Sequence, residues 1–468
     1  MRRSLFATPL FLLLSGCAVG PNYQRPEIKP PTQFRGVQDG NPATGSASLA
    51  DTKWFDVFKD EKLTALVKTA LDQNFDLRIA SARVLEARAQ LGISRSGQLP
   101  TLNANGQFTV SRGSSVGSIT FIPKGTPLDV AYHQEGFTLG WELDVWGRIR
   151  RLNEAARADY LASEEGRRGV VTTLIGDVSS GYFNLREADL ELTIANQTRQ
   201  VATDGLRLTT LRKNGGTSTM LDVRQAEQFL FTATSQIASA QRQIEQTENQ
   251  LSLLLAQNPQ SIERGKDLND LRPPESIPAG LPADLLERRP DIRQAEQYLI
   301  AANANIGAAK AQYFPQIELT GLLGAQSRAL TGLFTGPARD WNFTPSVTLP
   351  IFNAGRIRNG VRLTEAQKQE ALITYQKSIQ TAFREVSDAL VSYRRIAEQR
   401  AEQELLVAAL RDSVRLSNLR YSGGLDSYLQ VLDSERNLFQ GDLALARLKR
   451  DELVSVVNLY RALGGGWQ

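Results

Sequence analysis

Residues 147–214 hold no proline and only scattered glycines. As one helix rising about 1.5 Å per residue they would span roughly 100 Å, several times the width of a small domain. An ordinary core helix cannot have that length. Residues 355–422 follow the same plan. Each stretch begins after an alternating, strand-like run and stops at a double glycine, Gly215-Gly216 and Gly423-Gly424. Two such rods in one chain, each fed by strands, predict a long hollow or bundled object.

The rods belong to a tandem repeat. Helical periodicity runs over residues 63–96, through Leu63, Leu66, Val67, Ala70, Leu77, Ala80 and Val84. After Pro100 the period becomes two: Leu102, Ala104, Gly106, Phe108 and Val110 alternate with polar residues. A Gly- and Ser-rich loop is expected from Ser111 to about His133. Alternation then returns in Phe137, Leu139, Trp141, Leu143 and Val145. A shift of 215 places Gly92 on Gly307 and Pro100 on Pro315, and a shift of 208 places Gly147-Arg148 on Gly355-Arg356. The fourth strand is the cleanest, with Trp341, Phe343, Val347, Leu349 and Ile351 set against Asn342, Thr344, Ser346 and Thr348. The chain thus divides into a leader (1–16), an extended strap (17–62), a first repeat (63–258), a Pro-rich linker (259–283) and a second repeat (284–468). Each repeat is ordered helix, strand, strand, long helix, helix.

Met1-Arg2-Arg3 followed by an apolar run reads as an export signal, too short to span a bilayer. It ends in Leu14-Ser15-Gly16-Cys17, which resembles a bacterial lipobox. Cys17 is the only cysteine of the 468 residues, so it has no internal disulfide partner and is the expected site of covalent lipid. Ala18 follows where aspartate would signal inner-membrane retention, which points to the outer membrane. Beyond the leader no apolar run is long enough for a membrane helix. Strands of about 10 residues with one apolar face are the other means of crossing, and such a sheet must close because lipid cannot satisfy its edges. Four strands cannot close a barrel, so several copies must share it. Two copies would give eight strands, filled with side chains; three give twelve, enough to leave a lumen. The expected fold is mixed α and transmembrane β, the barrel continued by a long helical tube.

Several stretches resemble one family, the trimeric outer-membrane efflux channels (TolC-like outer membrane factors), in their lipoprotein (NodT) branch. They are Cys17-Ala18-Val19-Gly20-Pro21-Asn22-Tyr23 through Pro26; Trp54-Phe55 with Phe58; and Trp141-Glu142-Leu143-Asp144-Val145-Trp146-Gly147-Arg148. Arg289-Pro290-Asp291-Ile292, Pro350-Ile351-Phe352-Asn353-Ala354-Gly355-Arg356 and Ala462-Leu463-Gly464-Gly465-Gly466-Trp467 complete the set. In this order they span the whole mature chain. The resemblance implies a homotrimer with a 12-stranded barrel, a periplasmic α-helical barrel, and docking to a periplasmic adaptor and an inner-membrane pump. It also implies a periplasmic gate: Asp426 and Asp433 would line the constriction, with Arg420 and Tyr421 tying adjoining helices. The adaptor would meet the turns at Gly215, Gly216, Gly423 and Gly424.

The residues themselves also allow plainer readings. Asp426 stands where a helix is expected to begin and could be its N-cap, as could its repeat counterpart Ser218. The parity of the second strand places Trp146 at the strand–helix junction, whereas Trp141 and Trp341 fall on apolar faces and suit lipid contact. Gly147 and Gly355 are expected to relieve strain where strand bends into helix. His133, the only histidine, lacks catalytic or metal-binding partners, so neither enzyme chemistry nor a metal site is expected. No cofactor is expected beyond the lipid at Cys17. The 54 basic and 50 acidic residues form no basic cluster, which excludes a nucleic-acid partner. The expected function is a passive outer-membrane exit duct for drugs or other toxic small molecules. A duct for secreted polypeptides and a coiled-coil lipoprotein without a channel are the alternatives.

Overall fold

The computed structural model describes residues 18–35, 48–51, 53–114, 116, 127–274, 278 and 280–466; Cys17 and the leader lie outside them. The elements run α1 (Trp54–Phe58), α2 (Glu61–Gln73), α3 (Phe75–Ser96), β1 (Thr101–Arg112), β2 (Asp129–Leu143), α4 (Arg148–Asn214) and α5 (Met220–Leu254). The second repeat follows with α6 (Leu285–Arg288), α7 (Pro290–Ala311), β3 (Gln316–Ser327), β4 (Arg339–Thr348), α8 (Arg356–Ser422) and α9 (Tyr428–Ala462). The two long helices have 67 residues each. Gly147 and Gly355, one residue before them, have φ of +78° and +82°, the left-handed region that lets a strand turn into a helix without Cβ strain.

The four strands form one antiparallel sheet in the order β1-β2-β3-β4. Its register puts Leu102, Leu139, Gly321 and Phe343 in one row, and Ala104, Phe137, Leu323 and Trp341 in the next. Directly opposed residues share a face, so these rows build a continuous apolar band. The other face carries Asn103, Asn105, Thr138, Thr320, Thr344 and Ser346. The apolar face is left uncovered: Phe108, Phe137, Leu323, Phe343 and Val347 are exposed, and Trp341 is 72% exposed. A face of this kind suits lipid rather than water. Trp141 is only half-buried and donates its Nε1–H to the Gln98 carbonyl at 3.0 Å.

Three expectations need correction. His133 is not in a loop but inside β2, opposite Phe108, and the two rings stack at 4.5 Å. Val130 and Tyr132 fall on the face opposite to Phe137 and Leu139, which breaks the alternation that marked the rest of the strand. The helix expected over residues 63–96 is two helices broken at Asn74, and its second-repeat counterpart breaks at Arg289. The last helix begins at Tyr428, two residues after Asp426, where its start was expected.

The breaks at Asn74 and Arg289 are related by the 215-residue shift, and both serve one purpose. The Asn74 Oδ1 accepts from the Leu77 N–H, while its Nδ2 donates to the Leu254 carbonyl at 2.9 Å, where α5 ends. Arg289 donates from Nη1 to the Ala462 carbonyl at 3.0 Å, where α9 ends. Each break thus satisfies a carbonyl that the last turn of a helix leaves unpaired.

Chain contacts define two compact units, each drawing on both repeats. One comprises the described residues within 18–26, 84–162 and 295–375, and carries the sheet. Its helix seam is alanine-rich, Ala155 and Ala158 of α4 against Ala301 and Ala304 of α7, which lets the backbones approach closely. The other comprises residues 27–83, 163–294 and 376–468. It holds two larger cores, one around Tyr182, Phe183, Leu251 and Val457, the other around Phe229, Tyr428, Leu432 and Phe439. The Pro-rich linker is tied to the first of these: Asp60 caps α2, accepts from the Tyr182 hydroxyl at 3.0 Å and accepts from the Lys266 N–H.

Candidate functional site

The turns that close the long helices are built alike and then diverge. After α4, Gly215 N–H bonds the Leu211 carbonyl, Gly216 N–H the Lys213 carbonyl and Thr217 N–H the Arg212 carbonyl. After α8, Gly423, Gly424 and Leu425 repeat these bonds to Leu419, Tyr421 and Arg420. The last two bonds of each set make a Schellman motif, and its left-handed residue is Gly216 (φ +74°) or Gly424 (φ +71°). A Cβ added at either glycine would meet nothing within 4 Å, so both turns present bare backbone.

The helices that follow are capped differently. Thr219, not Ser218, is the N-cap of α5, in a reciprocal capping box with Asp222. Ser218 donates its hydroxyl to Asp222 at 2.9 Å. In the second repeat Ser427 takes the cap position without a side-chain bond. Asp426 is therefore not the cap, contrary to the plainer reading. It accepts two hydrogen bonds from Arg420, from Nε at 2.6 Å and from Nη2 at 3.0 Å. The guanidinium holds the Asp426 carboxyl below the usual carboxylate range. Arg420 thus staples its own turn, while Tyr421 links helices: it is buried, lies 5.5 Å from the Tyr428 ring and carries the Arg212 guanidinium 4.2 Å above its face. Asp433 is exposed and accepts from the Asn437 amide at 3.2 Å.

A second constellation sits at the junction of β2 and α4. Asp144 caps α4, its carboxylate accepting from the N–H groups of Ile149 and Arg150. Glu142 accepts a two-pronged bond from Arg148 at 2.9 and 2.6 Å. Trp146 stacks on Phe314 at 4.7 Å and donates to the Pro315 carbonyl, so it packs at the junction as its parity suggests. Onto this corner the strap docks. Val19 N–H bonds the Trp146 carbonyl at 3.0 Å. Arg151, only 4% exposed, donates to the Val19 and Gly20 carbonyls and to Asn22 Oδ1. Asn303 donates to the Pro21 carbonyl, and Tyr23 and Arg25 both bond Glu296. Gly20 crosses Gly307 so closely that a Cβ on Gly20 would lie 2.4 Å from the Gly307 Cα.

With these sites in view, comparison with known proteins is informative. The family described as outer membrane efflux protein matches residues 66–257 and 281–465. The chain belongs to the outer membrane efflux protein family. This efflux protein is 42% identical to a solvent efflux pump outer membrane protein, SrpC, of Pseudomonas putida, over 98% of each chain. It is 36% identical to the cation efflux system protein CusC of Escherichia coli O6:H1, over 98% of this chain and 97% of that one. Its fold is similar to the open state of the MtrE outer membrane channel of Neisseria gonorrhoeae, with a TM-score of 0.85, 31% identity, and coverage of 97% and 99%. It is an outer-membrane efflux channel, and the reading as a coiled-coil lipoprotein without a channel falls.

Arg151, Asn303 and Gly307 were not legible as a strap dock. Gly307 matches Gly92 under the repeat shift, but a Cβ at Gly92 would meet nothing within 4 Å. The repeat occurs twice and the strap once, so a repeat comparison hides the difference. Among the described residues no helix is long and apolar enough to cross a membrane, and no group of three or more His, Cys, Asp and Glu could hold a metal.

Proposed function

We propose that this channel is the exit duct of a tripartite system, receiving toxic small molecules from an inner-membrane pump through a periplasmic adaptor. The observation that carries the reading is the sheet: four strands, apolar on one face and polar on the other, with β1 and β4 each unpaired along one edge. Open edges in lipid must be paired, and three copies joined edge to edge give a twelve-stranded barrel with its polar face inward. Lipid at Cys17 anchors the strap. The bare turns at Gly215-Gly216 and Gly423-Gly424 dock the adaptor, and the Arg420–Asp426 staple, with Asp433 and Tyr421, forms the gate. Relatives at 42% and 36% identity are named for solvents and for cations, which supports choice of cargo upstream of the duct. Secretion of a polypeptide is the second reading; the adaptor that co-purifies distinguishes the two.

One experiment tests duct and gate together: planar-bilayer conductance of the wild-type protein and of Asp426→Ser, which copies the first repeat. The wild type should form ion-conducting pores. The variant should conduct more and lose cation preference, with little change in melting temperature, because the removed ion pair is solvent-screened. A silent wild type would sink the duct. An unaltered variant would leave Asp426 as a turn staple only.

A further inference from the structure

The apolar face of the sheet ends in charge on the side away from the helices. On that face the rows run from Leu143, Ile317 and Val347, beside the helices, to Ala104, Phe137, Leu323 and Trp341. The next row is Gly106, Glu135, Ala325 and Arg339, the first on this face to carry charge. Its two charges do not meet. Glu135 stands two strands from Arg339 and leans the other way, toward β1: a Cβ on Gly106 would lie 2.4 Å from its Oε2. Asp340, next to Arg339 in sequence, is on the polar face, where Gln134 reaches it. Arg339 is exposed, and no carboxylate among the described residues pairs with it. The β3–β4 loop bounds the same place. Ser327 projects on the apolar face, as Leu323 does, and a Cβ on Gly332 would lie 2.9 Å from its hydroxyl. The loop therefore leans over the outside of the sheet and not across its polar face. Leu333, 1% exposed, ties the loop down, while Leu330 and Phe334 stay bare, Phe334 at 87%.

We propose that Arg339, Trp341 and the loop carrying Leu330 and Phe334 seat an anionic, phosphate-bearing lipid of the outer leaflet. Its phosphate lies on the Arg339 guanidinium and its acyl chains run along Trp341 and Leu323. The proposal rests on the lipid-facing reading of the sheet and adds a headgroup to it. Trp341 followed outward by Arg339 is the order of groups across a membrane interface, an aromatic ring at the headgroup boundary and a cation beyond it. A guanidinium meets a phosphate with two parallel N–H donors, and this one has no carboxylate to occupy it. The bare Leu330 and Phe334 carry apolar surface past the charged row, so the phosphate sits in a polar notch between two apolar parts. Joining the sheet edges in a closed barrel uses backbone groups, and side chains that point outward stay outward. The seat thus survives closure of the barrel. One such cation near an anionic lipid enriches it roughly fivefold.

Quenching of tryptophan fluorescence by brominated lipid tests this in the full-length protein, reconstituted into phosphatidylcholine vesicles. Subtracting the Trp341→Phe signal from that of the wild type isolates Trp341 from the other four tryptophans. Brominated phosphatidic acid should quench Trp341 at a roughly fivefold lower mole fraction than brominated phosphatidylcholine. Arg339→Gln should bring the two lipids level. The comparison of lipids with Arg339 in place stands even if that variant does not insert. Phe334→Trp, made in the Trp341→Phe background, should add a signal that both lipids quench. Equal quenching of Trp341 by the two lipids in the wild type overturns the seat and leaves the sheet in lipid. So does a preference that persists in Arg339→Gln, because the attraction then comes from elsewhere on the protein. A Phe334→Trp signal that neither lipid quenches turns the loop to water and overturns its part in the seat. Trp341 quenched by neither lipid overturns the seat and the lipid-facing sheet together.

Discussion

Glu435 lies on α9 between Leu432 and Phe439, both buried, and its counterpart Glu227 shows what it lacks. Glu227 is bonded by Arg224 at 2.6 Å, but the matching position beside Glu435 is Leu432. Burial pushes the Glu435 carboxyl up from 4.5 to about 7, an effect that Asn418 partly offsets. The folded chain then holds a proton that the unfolded chain has released. Stability should fall as pH rises from about 4.5 to about 7, by on the order of 3 kcal/mol, and level off above. Glu435→Gln should remove this slope and be the more stable form at pH 8, as read by urea denaturation at pH 5 and pH 8. A parallel pH dependence in both proteins would show that Glu435 does not carry it. Neither this burial nor the Arg420–Asp426 staple could be read from the sequence. Both depend on which side of a helix faces a neighbour, and the cap moved one residue from where a carboxylate suggested it.

At the level of elements, the long helices were legible to within a residue of their starts, because unbroken helix formers and paired glycines mark both ends. The sheet was legible wherever apolar side chains stay on one face, and illegible over residues 129–135 where they change sides. The break at Asn74 was hidden, since neither Gly nor Pro announces it and the apolar period continues through Leu77. Its role carries a clear expectation. Asn74→Ala leaves the Leu254 carbonyl and the Leu77 N–H without their side-chain partners and should cost about 1–2 kcal/mol. Arg289→Ala should cost more, about 3–5 kcal/mol, because the buried guanidinium also bonds Asp291 and Glu385 at 2.7 Å. Denaturation of the purified protein in urea would rank the two, and equal losses would mean that the ion pairs at Arg289 contribute nothing beyond the capped carbonyl.

For the whole molecule, the tandem plan followed from the two residue shifts and the shared barrel from counting strands, whereas the dock of the strap did not, because it joins places far apart in the chain. Cys17→Ser should abolish acyl labelling by radioactive fatty acid and still yield membrane-inserted protein, since the docking bonds begin at Val19 and the apolar band needs no lipid. Labelling that persists would place the lipid elsewhere. The same dock bears on the order of assembly. Arg151 belongs to the first repeat and Asn303 to the second, so the bond from Asn303 to Pro21 closes a loop of 282 residues. During export the leading end of the chain arrives long before its second anchor point has crossed. The strap can lock only once the chain has been delivered through Asn303, so a product truncated before that residue keeps its leading end without its second anchor.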